Sequence, residues 1–467
     1  MTITDTIISH QRAQVFGDHP KVNLVEPCRI GNGILQVTPE MKGYYRKLYN
    51  STKVLPGFFI PASGSGSRMF QFLYDFIEEP NDVNRGQVER FLNHLEDFAF
   101  YRKIDRPMKD RLENGKVDLS GFVRYIVSEE GLGLGMLPKG LVPFHYYGYF
   151  ILNPFQEHVL QAATLNGGIS KAHFTVNPKF KKLIADSIEE VRRLSGYDII
   201  AEFSCQDEDT DSIAFSTDGD IVEVEPGRAL TRPSGHGALL DNLNEMDDAI
   251  LFIKNIDNVQ HGSVSEHSMD DFRLLGGILL EVNEKLRQVV SGGEVDREAL
   301  KLLISEYQLA YSTMFVDELT DRELIDWMNR PRRVCGMVKN EGQPGGGPFW
   351  VKNKNGKVSK QIVEKAQISN EGEQFTVMVK SSHFNPVMLA CDVHDLNGNK
   401  LNLKNFRDDD SYFVVRKRYH GKDILFAEQP GLWNGGMADW MTIFVEVSSL
   451  SFSPVKTVLD LLDTAHR

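Results

Sequence analysis

Cysteine is sparse in this chain. Cys28, Cys205, Cys335 and Cys391 are the four among 467 residues, and no C-x-x-C pair occurs. That excludes a zinc site of the usual spacing, and scattered thiols fit a reducing compartment. Positive charge is also short: 52 Lys and Arg face 65 Asp and Glu, a net charge of -13. Such a chain lacks the basic face that tracking a phosphate backbone requires, so no nucleic-acid partner is expected. A local basic pocket for one small anion stays allowed. No apolar run reaches the ~20 residues of a membrane span, and the start has no basic region leading into a long apolar stretch. The expectation is a soluble, cytoplasmic protein with no membrane partner. Internal repeats and low-complexity tracts are missing, and so is a nucleophilic signature of the Ser-His-Asp or Cys-His kind.

What is present is enough apolar material, 41%, for a large core. From Gly57 to about His261, strand-like runs ("FFIPA", "KAHFTV", "DIIAEFSCQ", "AILFIKNIDN") alternate with amphipathic helical patterns ("MFQFLYDFIEE", "QVERFLNHLEDFAFYRKI", "KFKKLIADSIEEVRRLSG"). This alternation predicts an α/β layer fold with a mixed, mostly parallel sheet. Three helical patterns follow, and strands return after "GQPGGGPFW" before a closing helical pattern, "SPVKTVLDLLDTAH". The predicted organisation is an N-terminal arm over 1–50, a nucleotide-binding α/β core over 51–265, a helical insertion over 266–335, and a strand-rich, sugar-binding half over 336–467 that returns to the core sheet.

Five stretches carry residue types suited to phosphate chemistry, and each has a plainer reading. Gly64, Ser65, Gly66 and Ser67 lie between a strand and a helix, with Arg68 next. Glycines let a backbone approach a ligand closely, amides at a helix start favour an anion, and the Arg fork suits phosphate oxygens. The stretch lacks the Gly-Lys-Ser/Thr of a P-loop and the third glycine of a dinucleotide fingerprint, and a Gly/Ser connector is its plain reading. Lys139 in "LPKGLVPF", standing alone, reads as a surface lysine in a turn. Gly235, His236 and Gly237 offer a flat surface for a base or sugar, or simply a turn before a helix. Asp257 ends a buried strand at the edge where open α/β sheets bind ligands, and a carboxylate there suits Mg²⁺. Lys456 sits at the start of an apolar helical pattern, where a lysine is poorly matched to the dipole unless an anion is present.

Taken together, these stretches resemble the sugar nucleotidyltransferases, in particular the UDP-sugar pyrophosphorylase group. "PASGSGSRM" resembles L-x-G-G-x-G-T-R-M, "PKGLVPF" resembles P-K-P-L-V-P, and "RPSGHGALL" resembles P-x-G-H/N-G-D/G. "FIKNIDNV" resembles F-x-x-N-x-D-N, "QIVEKAQIS" resembles V-E-Y-S-E-I, and "FSPVKTVLDLL" resembles F-x-P-V-K-T-x-x-D-L-L. The six occur in the family's order from Pro61 to Leu462. The whole chain also looks like a bacterial family catalogued as a domain of unknown function.

The resemblance implies a Rossmann-like nucleotidyltransferase fold and Mg²⁺-dependent transfer from a nucleoside triphosphate, UTP favoured, to a sugar-1-phosphate. It implies that Gly64, Ser65, Gly66, Ser67 and Arg68 hold nucleotide phosphates and that Lys139 and Lys456 neutralise them. By the same resemblance Asp257 binds Mg²⁺, Gln206 reads the base, Gly235, His236 and Gly237 pack near base and ribose, and Glu364 and Asn385 meet the sugar. Asn385 and Asp392 are both candidates for a second metal ligand. The sequence departs from the family pattern at Ala62-Ser63, Ser67 and Lys365, and the helical insertion has no counterpart. Two other readings stay open. Asp209-Thr-Asp211 has a D-x-D-like spacing that suits a glycosyltransferase, or a solvated acidic loop. The altered glycine loop suits a non-catalytic nucleotide-sugar-binding protein.

Overall fold

A computed structural model describes residues 4–19, 21–342, 345–369 and 371–467. The chain forms two compact units, each assembled from three separate stretches.

One unit comprises Gly57–Cys205, Lys254–Asp270 and Leu450–Arg467. Its sheet has three parallel strands, Gly57–Pro61, Ile169–Thr175 and Asp198–Ser204, in register from Phe58 opposite Ala172 and from Ile169 opposite Asp198. Phe59, Ile60 and Phe174 are fully buried, as befits strands that read as near-continuous apolar runs. The crossover between the last two strands is the helix Lys181–Ser195, stopped by Gly196 at φ 69°, a left-handed cap that glycine adopts without strain. The helix Pro154–Leu165 opens on a capping box in which Asn153 and Gln156 satisfy each other's backbone amides. A helical layer contributes a second core, with Phe72, Phe76, Phe91, Phe98, Phe100 and Phe122 packed with Val455, Val458 and Leu461 of the late stretch.

The other unit comprises Met1–Pro56, Gln206–Ile253 and Asp271–Ser449. Its central strands Gly33–Leu35, Met441–Glu446, Arg332–Lys339 and Met388–Asp392 are neighbours in that order. The first three run parallel, and the last is antiparallel to its neighbour. Two antiparallel sheets accompany them. In one, Asn23–Pro27 pairs with Gly347–Lys352, and Gly347–Lys352 with Val358–Val363. In the other, Phe413–Tyr419 pairs with Lys422–Glu428. The helices Arg297–Tyr307, Phe315–Glu318 and Asp321–Met328 precede the strand Arg332–Lys339.

The expected α/β architecture with a mixed, mostly parallel sheet holds. Two expected helices come out differently. The pattern from Gln87 to Ile104 is a helix only to Asn93 and continues as two short 3₁₀ turns. The closing pattern is also two 3₁₀ turns, Val458–Leu462 and Thr464–His466. Its buried residues Val455, Val458 and Leu461 recur every three positions, which matches three residues per turn. The dipole argument for Lys456 therefore does not apply. Among the described residues no helix is long and apolar enough to cross a membrane.

Candidate functional site

The glycine-serine loop follows the buried strand Gly57–Pro61 and leads into a 3₁₀ turn, Ser67–Phe70, before the helix Gln71–Glu78 begins. It is tied to the Lys139 turn. The Gly66 amide donates to the Leu137 carbonyl at 3.0 Å and the Lys139 amide to the Gly64 carbonyl at 3.3 Å. A β-carbon on Gly66 would stand 2.6 Å from the Leu137 oxygen, so only glycine permits this approach, whereas Gly64 has open space on that side. The Ser67 amide donates to Ser65 Oγ at 3.1 Å. Arg68 is exposed and makes no ion pair among the described residues.

From that turn the Lys139 side chain reaches inward. Its Nζ donates to Asp257 Oδ2 at 3.0 Å and to the Val455 carbonyl at 2.8 Å. Lys456 Nζ donates to the same Oδ2 at 3.0 Å. Three residues separated by 118 and 199 positions thus meet on one oxygen. The two lysines differ in setting: the Lys139 side chain is 14% exposed and that of Lys456 57%. Burial pushes the Asp257 carboxyl up, but the Lys139 and Lys456 ammonium groups outweigh it and hold the group below its usual range. Asp257 is therefore a buried, ionised carboxylate.

The surroundings fix this geometry. The Val455 amide donates to the Asp257 carbonyl, the Ser453 amide to Asn258 Oδ1 at 3.0 Å, and Gln260 Nε2 to the Leu450 carbonyl. Within the late stretch, the Lys456 and Thr457 amides both donate to Asp460 Oδ2 at 2.7 Å. Further along, His466 Nδ1 and His145 Nε2 share a hydrogen bond of 3.0 Å, and His145 Nδ1 bonds Glu157 Oε1 at 2.7 Å. Tyr147 donates to the same Glu157 oxygen at 2.6 Å. Burial, then the neighbouring His145, drives the His466 ring down to about 3. His158, whose Nε2 lies 3.2 Å from the Ile256 carbonyl, is held down to about 3 by burial and the nearby Lys254.

The other candidate residues lie in the second unit. His236 stacks on Trp433, with ring centroids 4.2 Å apart and planes 13° apart. Its Nδ1 accepts the Leu432 amide at 2.9 Å, so any ring proton of the neutral form sits on Nε2, which faces Glu364 Oε1 at 3.8 Å. Gly235 has φ 70°, and a β-carbon there would stand 2.5 Å from the Glu428 carboxylate. On Gly237 it would stand 2.1 Å from the Pro430 oxygen. Gln206 Nε2 is buried with no hydrogen-bond partner. The Asn385 side chain is committed to backbone, donating to the Gly336 carbonyl and accepting the Val387 amide. Asp392 pairs with Arg332 at 2.7 Å, His394 at 2.8 Å and Asn283 at 2.8 Å.

Sequence reasoning does not single out Trp433, although "PGLWNGGM" sets a tryptophan in a glycine-rich turn. The links from Asn258, Gln260 and His145 to the late stretch leave no local signal at all.

A family model described as "Domain of unknown function (DUF4301)" matches residues 1–467. The chain belongs to the DUF4301 family. No curated protein matches it. Among solved structures, this DUF4301 chain is similar to a putative UDP-N-acetylglucosamine pyrophosphorylase from Entamoeba histolytica, at 11% identity and TM-score 0.44, over 92% of this chain and 83% of that one. It is similar to a mutant UDP-glucose pyrophosphorylase from Leishmania major in complex with UDP-glucose, at 12% identity and TM-score 0.42, over 98% and 74%. A UDP-glucose phosphorylase from Trypanosoma brucei gives 14% identity and TM-score 0.42, over 96% and 71%. Likeness at this level carries no argument about chemistry.

Proposed function

We propose that this DUF4301 protein is a nucleotidyltransferase joining a nucleoside triphosphate to a sugar-1-phosphate. The observation that carries the reading is the meeting of Lys139 and Lys456 on buried Asp257, beside the loop that ends in Arg68. These are the positions at which the motifs resemble sugar nucleotidyltransferases.

In the reaction a phosphate oxygen of the sugar-1-phosphate attacks the α-phosphorus. A new P–O bond forms, the α–β anhydride bond breaks, and its electron pair leaves with pyrophosphate. The obstacle is negative charge, so the protein's task is alignment and neutralisation. Lys456, largely exposed, turns from Asp257 to the incoming phosphates. Lys139, more buried and held by the Val455 carbonyl, supplies a fixed positive charge. Arg68, free of any internal ion pair among the described residues, offers its fork to phosphate oxygens.

A magnesium site is compatible with this donor set. Mg²⁺ is commonly bound through one or two carboxylates with water and substrate phosphates completing the shell. By the motif resemblance Asp257 would be the protein's carboxylate ligand; among the described residues no group of three or more His, Cys, Asp or Glu that could hold a metal is found. When bound, the ion neutralises phosphate charge.

The test is pyrophosphate release from purified protein with Mg²⁺ across a panel of triphosphates and sugar-1-phosphates. Turnover with one pair, UTP foremost, is expected. No release from any pair at high enzyme concentration rejects the reading.

A further inference from the structure

The strand Asp198–Ser204 is the outermost of the three parallel strands in its unit. It pairs residue for residue with Ile169–Thr175, without a bulge. The backbone groups of successive residues in a strand point to opposite sides. The Asp198 amide donates to the Gly168 carbonyl at 3.0 Å, and the Val176 amide to the Ser204 carbonyl at 2.8 Å. Asp198, Ile200, Glu202 and Ser204 are therefore spent on that neighbour. Ile199, Ala201 and Phe203 turn their N–H and C=O groups the other way, and among the described residues no strand pairs with that side.

A row of unpaired donors and acceptors is a template for another strand, and natural edges are blunted by bulges, prolines, lysines or a covering element. Asp198–Ser204 has no bulge, no proline and no lysine. Apolar side chains on and just before it are open: Leu194 is 62% exposed, Ile200 40% and Tyr197 37%.

The strand is complementary to itself. Laid antiparallel on a second copy with Ala201 opposite Ala201, the free groups of Ile199, Ala201 and Phe203 meet those of Phe203, Ala201 and Ile199. The smallest side chain then sits at the two-fold centre, and Ile199 faces Phe203, an aromatic pair with a β-branched residue of the kind that stabilises sheets. On the other face Asp198 meets Ser204 and Ile200 meets Glu202, so no two carboxylates are opposed. The neighbouring registers fail. A slip of one residue sets free groups against groups already bonded. A slip of two sets Asp198 opposite Glu202, or Glu202 opposite its own copy, and like charges directly opposite are destabilising.

We propose that this edge joins two copies of the chain in a two-fold antiparallel pairing centred on Ala201, which continues the sheet of one copy into the other. A two-fold contact uses the same patch on both copies. It uses none of the residues of the polyphosphate site.

Sedimentation velocity on the full-length protein is the test. A species of twice the 52.9 kDa chain mass is expected at micromolar concentration, giving way to monomer on dilution. Ala201→Pro removes an outward N–H and leaves the bonds to Ile169–Thr175 in place, since proline is tolerated on edge strands; it should abolish the dimer. Ile200→Lys and Ile200→Glu both remove the isoleucine at an exposed position. Lysine there faces Glu202 of the second copy, whose side chain is 52% exposed, and glutamate is repelled by it. Ile200→Glu should therefore associate at least about tenfold more weakly than Ile200→Lys, and this pair serves if Ala201→Pro does not fold. A monomer at hundred-micromolar concentration overturns the proposal and leaves the edge to an extended segment of a different protein. A dimer that folded Ala201→Pro leaves intact, or that Ile200→Lys and Ile200→Glu form equally well, overturns it too.

Discussion

At the scale of single residues, Asp257 and the two lysines separate structure from chemistry. Removing one partner of a buried ion pair leaves an uncompensated charge, at a cost of about 3 kcal/mol. Asp257→Asn strands Lys139, whose side chain is only 14% exposed, and should lower unfolding stability by about that amount. Lys456→Ala removes a partner whose side chain is 57% exposed, where an ion pair contributes under about 1 kcal/mol. Its stability should barely change, while pyrophosphate release falls on the order of 10²-fold or more, as for other positioned charges that stabilise a transition state. Urea unfolding and turnover, measured on both variants, check this. Equal stability losses would mean that the exposed Lys456 pairing contributes as much as the whole buried cluster. Lys139, Asp257 and Lys456 are legible in the sequence because each sits in a short, chemically marked stretch. Trp433 is not, because an aromatic residue in a turn announces neither its stacking partner nor its ring plane.

At the scale of elements, the stretch Ser453–His466 reads as a helix in sequence because its apolar residues are frequent. The spacing of Val455, Val458 and Leu461 favours 3₁₀ turns, and tethers distant in sequence decide the path: Asn258, Gln260 and His145 each bond it. Those tethers make the stretch sensitive to pH. His466 and His158 are both held down to about 3 in the fold, against about 6.5 for an unfolded histidine. The folded state then binds fewer protons than the unfolded one between those values. Stability is full above the unfolded pKa and falls as pH drops from about 6.5 toward 3, by about 1.4 kcal/mol per pH unit for each ring. His394, whose pKa is raised chiefly by its hydrogen bond to Asp392, works in the opposite sense, so a comparison of variants is cleaner than one absolute slope. His466→Asn should make the loss of stability between pH 6 and pH 4.5 shallower by about 1.4 kcal/mol per unit. Urea unfolding at constant m-value gives the slopes, and an unchanged slope would remove His466 from the account.

At the scale of the whole molecule, the alternation of strand and helix patterns announces parallel strands, because each crossover is local in sequence. The division into two units, each made of three separate stretches, is not announced. It depends on pairings such as Asn23–Pro27 with Gly347–Lys352, which no window of sequence contains. The same long reach yields a test that a local site would fail. If one polyphosphate is held by the Gly64–Arg68 loop, the Lys139 turn, Asp257 and Lys456, then UTP with Mg²⁺ should slow amide hydrogen exchange in all four segments together, far apart as they are in sequence. A ligand at 100 times its dissociation constant stabilises the bound form by about 2.7 kcal/mol, which slows exchange about a hundredfold wherever opening must release it. Lys456→Ala should weaken that protection in the other three segments as well as its own, because a shared ligand couples them. Protection confined to the Gly64–Arg68 loop would reduce the site to an isolated anion contact and detach Lys456 from it.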